Sequence, residues 1–241
     1  MFASGPAAPV PWHRRLLAHL PRPIRTLIAR WEVWIETSVA AFACELPSGS
    51  RVLDAGAGEC QYANQFRHCR LTSVDLAIGD VTWDYARLDV VADLLRLPFC
   101  DALFDAALNV VVLEHVREPA RVVVELARVL KPGGRLLLIA PQEWAVHQVP
   151  HDYFRYTRYG LKWLLSEAGF TSIEIQPTGG FFTLLGRRLL DSVFFFQGGA
   201  RWLLFPFVAG IVGPLGLLLP WLDRFDHDKL TTLGYACRAT R

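Results

Sequence analysis

Between residues 51 and 140, short β-rich apolar runs alternate with stretches of helical periodicity, and this alternation constrains the fold more than any other feature of the chain. Strands are expected at 51–55, 70–75, 87–91, 104–112 and 135–140, with helices near 60–68 and 119–130 and a later helix from about 157 to 168. Two further strands are expected at 172–176 and 232–240. Strand–helix alternation of this kind builds an α/β fold, a mostly parallel sheet with helices on both faces. Such sheets bind ligands beyond the carboxyl ends of their strands, where the strand order reverses.

The first strand leads into the run RVLDAGAGECQ, residues 51–61. Val52 and Leu53 anchor it, while Gly56 and Gly58 let the chain turn tightly and turn N–H groups toward a ligand. A phosphate would be repelled by Asp54 and Glu59, so the turn suits a cationic nucleoside with an ammonium or sulfonium group. The run Leu71-Thr72-Ser73-Val74-Asp75 then ends in a carboxylate 21 residues beyond Asp54. An acid at that place accepts both hydroxyls of a ribose. Nicotinamide enzymes use a third glycine in the turn, and Gln61 stands there instead, which counts against hydride chemistry.

These segments, with VDLAIGD, ADLLRLPF, FDAALNVVVLEHV and ELARVLKPGGRLLLIAP in order, resemble the class I S-adenosylmethionine-dependent methyltransferases, in particular the ubiquinone- and sterol-type group. The resemblance covers roughly residues 50–176. It implies a Rossmann-like seven-stranded sheet with an antiparallel last strand and S-adenosyl-L-methionine as cofactor. By motif position it implies Gly56 and Gly58 against the methionine moiety, with Asp54 near its amino group. It further implies Asp75 on the ribose, Asp93 on the adenine amino group with the Leu94 N–H beside the ring, and Asn109 at a strand tip close to the sulfonium.

Methyl transfer is an in-line displacement, so positioning and exclusion of water supply most of the acceleration. A base is needed only where the acceptor must lose a proton. The segment Trp144–Tyr159 follows the fifth strand and hangs over the expected pocket mouth. His147 and His151 are the candidates for base or substrate ligand, and Asp152, Tyr153 and Arg155 for substrate binding, since binding groups concentrate in loops. His115 reads as a packed histidine bonded to backbone, and Asp89 as a solvated strand-end acid. The histidines and acids show no zinc spacing, and Pro150 keeps His147 and His151 off one helical face, so no metal is expected.

Charge gives little guidance to partners, because 25 Lys+Arg nearly balance 23 Asp+Glu, and no nucleic-acid partner is expected. The five cysteines have no C-x-x-C spacing and read as free thiols in a reducing compartment. Residues 1–22 read as a basic flexible arm, and residues 23–180 as the methyltransferase domain with an N-terminal amphipathic helix. Residues 181–230 form an apolar insertion, and residues 231–241 return as the last strand. Within the insertion, residues 202–222 are uncharged over 21 positions. A single crossing of a bilayer would leave the last strand on the wrong side, and Pro206, Pro214 and Pro220 interrupt a straight helix. A membrane-interfacial helical hairpin, or a cap over the pocket, fits better. The reading is a methyltransferase acting on a small or lipid-linked acceptor, cytoplasmic and peripheral to the inner face of a membrane through residues 181–230 and the basic arm. The rivals are an NAD(P)-dependent oxidoreductase and a catalytically silent membrane-attached scaffold.

Overall fold

The computed structural model describes residues 25–26, 28–79 and 82–241. The basic arm therefore lies outside the described residues. Seven strands form one sheet: β1 (Arg51–Ala55), β2 (Arg70–Asp75), β3 (Val90–Val91), β4 (Phe104–Val110), β5 (Leu130–Pro141), β6 (Thr171–Pro177) and β7 (Gly234–Thr240). Their order is β3-β2-β1-β4-β5-β7-β6. β7 runs antiparallel to β5 and β6, and the other pairings are parallel. The strand order reverses between β1 and β4, which opens a crevice at their carboxyl ends.

The two faces of the sheet follow the alternation along the strands. On one face Val52, Ala106, Leu108, Leu137 and Ile139 pack against Trp31, Ile35, Val39 and Phe42 of α1 (Arg30–Cys44). On the other, Leu53, Ala107, Leu136 and Leu138 meet Val122, Val123 and Leu126 of α2 (Pro119–Val129) and Leu161 and Leu165 of α3 (Arg158–Glu167). Alternate residues of β4 and β5 thus serve opposite layers, which is why these strands read as unbroken apolar runs. This is the Rossmann-like α/β sheet expected from the sequence.

Several boundaries differ from the expectation for physical reasons. The helix expected near 60–68 is a single 3₁₀ turn, Ala63–Phe66. Cys60 takes φ +58°, outside the right-handed helical region, and blocks an earlier start. β3 is shorter than 87–91 because the Asp89 carboxylate, 2.8 Å from both Ser73 N and Ser73 Oγ, takes the donor that a longer strand would have used. β4 stops at Val110, since Val111 has φ +57°. β5 starts earlier than 135, because Leu130 already pairs with Phe104 and the ladder shifts register across the Lys-Pro-Gly-Gly segment.

The insertion is helical and hairpin-shaped. α4 (Phe181–Ser192) and α5 (Phe205–Leu218) are joined by 3₁₀ turns at Val193–Phe196 and Gly199–Leu203, and α5 continues into a 3₁₀ segment, Leu219–Phe225. The prolines do not break it. Pro206 lies in the first turn of α5, where a missing N–H costs nothing; Pro214 is held inside the helix, and Pro220 falls where the helix tightens to 3₁₀. The helices touch through Gly186 and Gly216: a Cβ on Gly186 would lie 2.5 Å from the Gly216 carbonyl oxygen. The Asp223 carboxylate accepts from Gly180 N, Phe182 N, Thr183 N and Thr183 Oγ1 at 2.5–3.1 Å, so the end of the hairpin satisfies the open N–H groups at its start.

Candidate active site

A cavity of about 350 Å³ opens at the carboxyl ends of β1, β2 and β4. Its walls are the glycine turn after β1, the tip of β2, the segment after β3, Val110 at the end of β4 with Val111 and Val112 after it, and Trp31, Glu32, Ile35 and Glu36 of α1. The 144–151 loop supplies Trp144, His147, Gln148 and His151. Two non-glycine residues on this wall, Val111 (φ +57°) and Gln148 (φ +49°), hold strained backbone, and such strain gathers at functional sites.

Of the residues singled out for the cofactor, Gly56, Gly58, Asp75, Asp93 and Leu94 line the cavity. Gly56 is required by conformation and by space: its φ is +87°, and a Cβ there would lie 2.4 Å from a Val112 methyl. Asp75 holds the turn from below: its Oδ2 accepts from Gly58 N at 3.0 Å and its Oδ1 from Ala77 N at 2.8 Å. Asp93 accepts from Leu95 N at 2.9 Å. Asp54 and Asn109 are not among the lining residues and lie buried near the carboxyl ends of β1 and β4. Asn109 is buried and donates from Nδ2 to the Ala55 carbonyl at 2.8 Å. Asp54 is 1% exposed with Oδ2 unpartnered. Burial, reinforced by the Asp75 charge, pushes its carboxyl up to about 7.

The charge of the lining is one-sided. Glu32, Glu36, Glu59, Asp75 and Asp93 stand on the wall, and among the described lining residues there is no Lys or Arg. Two of these acids are partly met from outside, Glu36 by Arg25 and Glu32 by Arg187 at 3.7 Å. A ligand bearing positive charge is favoured here, and a dinucleotide pyrophosphate is not.

The 144–155 loop has a different role for each of its polar residues. His147 and His151 line the cavity, whereas Asp152, Tyr153 and Arg155 do not and instead build the loop. Arg155 grips Asp152 at 2.6 and 2.8 Å and donates to the carbonyls of Trp144, Ala145 and Phe154. This ion pair holds the Asp152 carboxyl at about 2. Asp152 in turn accepts from His147 N at 2.9 Å. The Tyr153 hydroxyl lies 3.1 Å from both Arg117 Nε and His151 Nδ1. The loop is sewn to the turn after β4 by Tyr153 N and Phe154 N, which donate to the Glu114 carbonyl.

That turn, Leu113–His115, contributes two groups that the residue pattern does not place in the site. The Glu114 side chain is fully buried, and burial pushes its carboxyl up to about 8. His115 is bonded to backbone as expected, 2.5 Å from the His151 carbonyl oxygen, yet it also lines the cavity. Sequence spacing points to no metal-ligating set. The fold brings donor atoms of Glu114, His115 and His147 within 4.8 Å of one another. Only the path of the 144–155 loop brings His147 there, and that path is invisible in residue spacing.

A glycine turn at a sheet switch point, ringed by acids from successive strand tips, is the kind of arrangement in which open α/β sheets hold nucleosides. The family model of a methyltransferase domain matches residues 53–138. Residues 53–138 thus carry a methyltransferase domain, and the chain is similar to S-adenosylmethionine-dependent methyltransferases. It is 35% identical over 141 residues to a tRNA (carboxymethyluridine(34)-5-O)-methyltransferase of Arabidopsis thaliana, covering 56% of this chain and 33% of that protein. It is 31% identical over 148 residues to the demethylmenaquinone methyltransferase of Thermobifida fusca, covering 57% of this chain and 62% of the other. The chain thus spans between a third and about three-fifths of the length of these curated relatives. Among solved structures, an S-adenosylmethionine-dependent methyltransferase from Archaeoglobus fulgidus superposes with a TM-score of 0.57 at 14% identity, covering 86% of this chain and 93% of that one. The Burkholderia thailandensis 1,6-didemethyltoxoflavin-N1-methyltransferase, solved with S-adenosylhomocysteine, gives 0.53 at 17% identity, covering 100% and 93%. These two likenesses show the fold.

Proposed function

We propose that this protein transfers a methyl group from S-adenosyl-L-methionine to a small or lipid-linked acceptor at a membrane surface. The observation that carries the reading is the acidic cavity at the switch point, where Gly56, Gly58, Asp75 and Asp93 converge inside the segment matched by the methyltransferase family. Bound there, the cofactor supplies an electrophilic methyl group on a sulfonium sulfur. The remaining work belongs to the chain. The glycine turn gives close backbone approach, and Asp75 and Asp93 orient the nucleoside through hydrogen bonds. Trp31, Ile35 and Trp144 add apolar surface to the cavity lining, which favours exclusion of water from the displacement. His151 or His147, both on the cavity lining, takes a proton in this reading where the acceptor has one to lose.

The hairpin supports the membrane half of the reading. Phe205–Phe225 is 21 residues of helix whose most apolar window has mean hydropathy 1.8, and only 6% of that window is buried. Phe195, Leu203, Phe207 and Ile211 are each at least 72% exposed. Both ends of the hairpin return to the same sheet, so it fits an interfacial float and not a crossing. It also stands beside the cavity: the Arg187 guanidinium lies over the Trp144 ring, 4.8 Å from its centroid, and Trp144 and Glu32 are both cavity residues. An acceptor held in lipid has a short route from that rim to the wall.

Isothermal titration of the full chain with S-adenosylhomocysteine tests the first half, with one site per chain expected. A folded protein that takes up none would refute it. Transfer of labelled methyl from the cofactor into a lipid extract, compared with an aqueous metabolite extract, then assigns the acceptor class and separates turnover from a silent scaffold.

A further inference from the structure

Arg117, Tyr153 and His151 form an unbroken chain of polar contacts that ends on the cavity lining. Arg117 Nε donates to the Tyr153 hydroxyl at 3.1 Å, and that hydroxyl lies 3.1 Å from His151 Nδ1. The Arg117 guanidinium also stands over the Tyr153 ring, 5.6 Å from its centroid. His151 is itself a lining residue. Its backbone is pinned on both sides, since its N–H donates to the Gln148 carbonyl at 2.9 Å and its carbonyl accepts from His115 Nδ1 at 2.5 Å. Tyr153 is tied in the same way, through its N–H to the Glu114 carbonyl at 2.9 Å.

The direction of each hydrogen follows from what these groups can do. A guanidinium only donates, so the Tyr153 oxygen accepts from Arg117. The phenol then has one hydrogen of its own to place, and His151 Nδ1 is the acceptor it meets among the described residues. The opposite arrangement, with Nδ1 donating, would make the phenol oxygen a double acceptor and leave its hydrogen without a protein partner. A hydroxyl that accepts from a cation is also the stronger donor, because bonds in a chain polarise one another. Nδ1 is thus the accepting nitrogen, and the neutral ring carries its hydrogen on Nε2. Nε2, the ring nitrogen that Tyr153 leaves open, is the one available to a ligand in the cavity.

We infer that Tyr153 and Arg117 are positioning residues that fix His151 as a hydrogen-bond donor, through Nε2–H, to an oxygen of the methyl acceptor. The inference rests on the methyltransferase reading and deepens it: His151 holds the substrate and does not take its proton. It also sets the chemistry of the acceptor. An N–H turned to the ligand needs a lone pair opposite it, as on a carbonyl, hydroxyl or phenol oxygen. It rejects a protonated amine at that place, which the acids of the wall would otherwise draw in. A site built to donate discriminates strongly against an analogue that lacks the accepting atom. Arg117 follows the turn after β4, while His151 and Tyr153 belong to the loop after β5, so the donor is set only where these two segments meet.

The test is the long-range nitrogen–proton NMR spectrum of the full chain carrying isotope-labelled histidine, in which the two ring tautomers separate, with His151→Gln assigning the resonances. His151 should show its hydrogen on Nε2, and His115, whose Nδ1 meets a carbonyl, should show the opposite tautomer as an internal control. Tyr153→Phe should shift the His151 Nδ1 resonance and speed solvent exchange of Nε2–H, and Arg117→Ala should do the same by less. An Nδ1–H tautomer in the parent, or an Nδ1 resonance unmoved in Tyr153→Phe, would overturn the inference. Labelled methyl transfer into lipid and aqueous extracts then separates a donor from a base. His151→Gln keeps a side-chain N–H but cannot take a proton, so it should retain turnover within about tenfold, mainly as a higher KM, while His151→Leu should lose roughly 100-fold. Equal losses in the two variants would mark His151 as a base and overturn its assignment. S-adenosylhomocysteine affinity measured on the same samples keeps the two readings apart. Normal affinity with the wrong tautomer leaves the methyltransferase reading standing, and no uptake would remove that reading and this assignment with it.

Discussion

Asp54 shows how one buried group links folding to ligand charge. Its folded-state value of about 7 lies above the 3.8 of an ordinary aspartate, so folding favours its neutral form. The stability this gives is fully present below pH about 4 and is lost as pH rises through 7. Asp54→Asn should therefore flatten the decline of unfolding free energy between pH 4 and 8, by an amount on the order of a few kcal/mol. Urea unfolding of parent and variant at both pH values checks this, and parallel declines would refute it. Asp75 carries a different burden, because it holds the Gly58 turn and faces the ligand. Asp75→Arg should weaken S-adenosylhomocysteine binding at least about 100-fold, roughly 3 kcal/mol, with an unchanged far-ultraviolet circular dichroism spectrum. At this scale the sequence pointed to residues that the fold brings to one cavity where backbone and side chain act locally, as at Gly56, Gly58, Asp75 and Asp93. Asp152 and Arg155, expected to bind substrate from their polarity, lie off the cavity lining and bond each other and the loop backbone. Glu114 escaped notice because nothing in LEHV distinguishes a buried acid from a solvated one.

Among the elements, the hairpin depends most on a few contacts. The four donors that converge on Asp223 include the first N–H groups of α4, which have no partner within the helix. Asp223→Ala should lower stability by about 1–2 kcal/mol, seen as a fall in Tm, and Asp223→Asn should recover part of it. A Tm equal to the parent's for the alanine variant would show that the cap is dispensable. Strands and long helices were legible because their periodicity reports which face is buried. Proline was a poorer guide: a helix tolerates it in the first turn and where i→i+4 bonding gives way to i→i+3, and these are the places where Pro206 and Pro220 fall. The expected helix at 60–68 failed because the decisive event was one residue's dihedral, Cys60 at φ +58°, which no periodicity records.

For the molecule as a whole, an exposed apolar hairpin should decide location without deciding catalysis. Replacing Phe195, Phe207 and Ile211 together by Glu should abolish flotation with anionic vesicles, while the affinity for S-adenosylhomocysteine stays within about twofold, since these residues lie outside the cavity. Flotation of the triple variant equal to the parent's would remove the hairpin from the membrane account. The seven-stranded architecture was legible from the order of strands and helices, but the placing of β7 was not a matter of local pattern. It slots between β5 and β6, and β6 has no other neighbour among the described strands. Synthesis proceeds from the amino end, so residues 181–225 leave the ribosome before the strand that completes the sheet. During that interval β6 has no ladder, and the greasy helices have nowhere to go within their own polypeptide. At about 5–20 residues per second the wait lasts a second or more, time enough for a nascent chain to be captured by lipid or by a chaperone before its enzyme domain has closed.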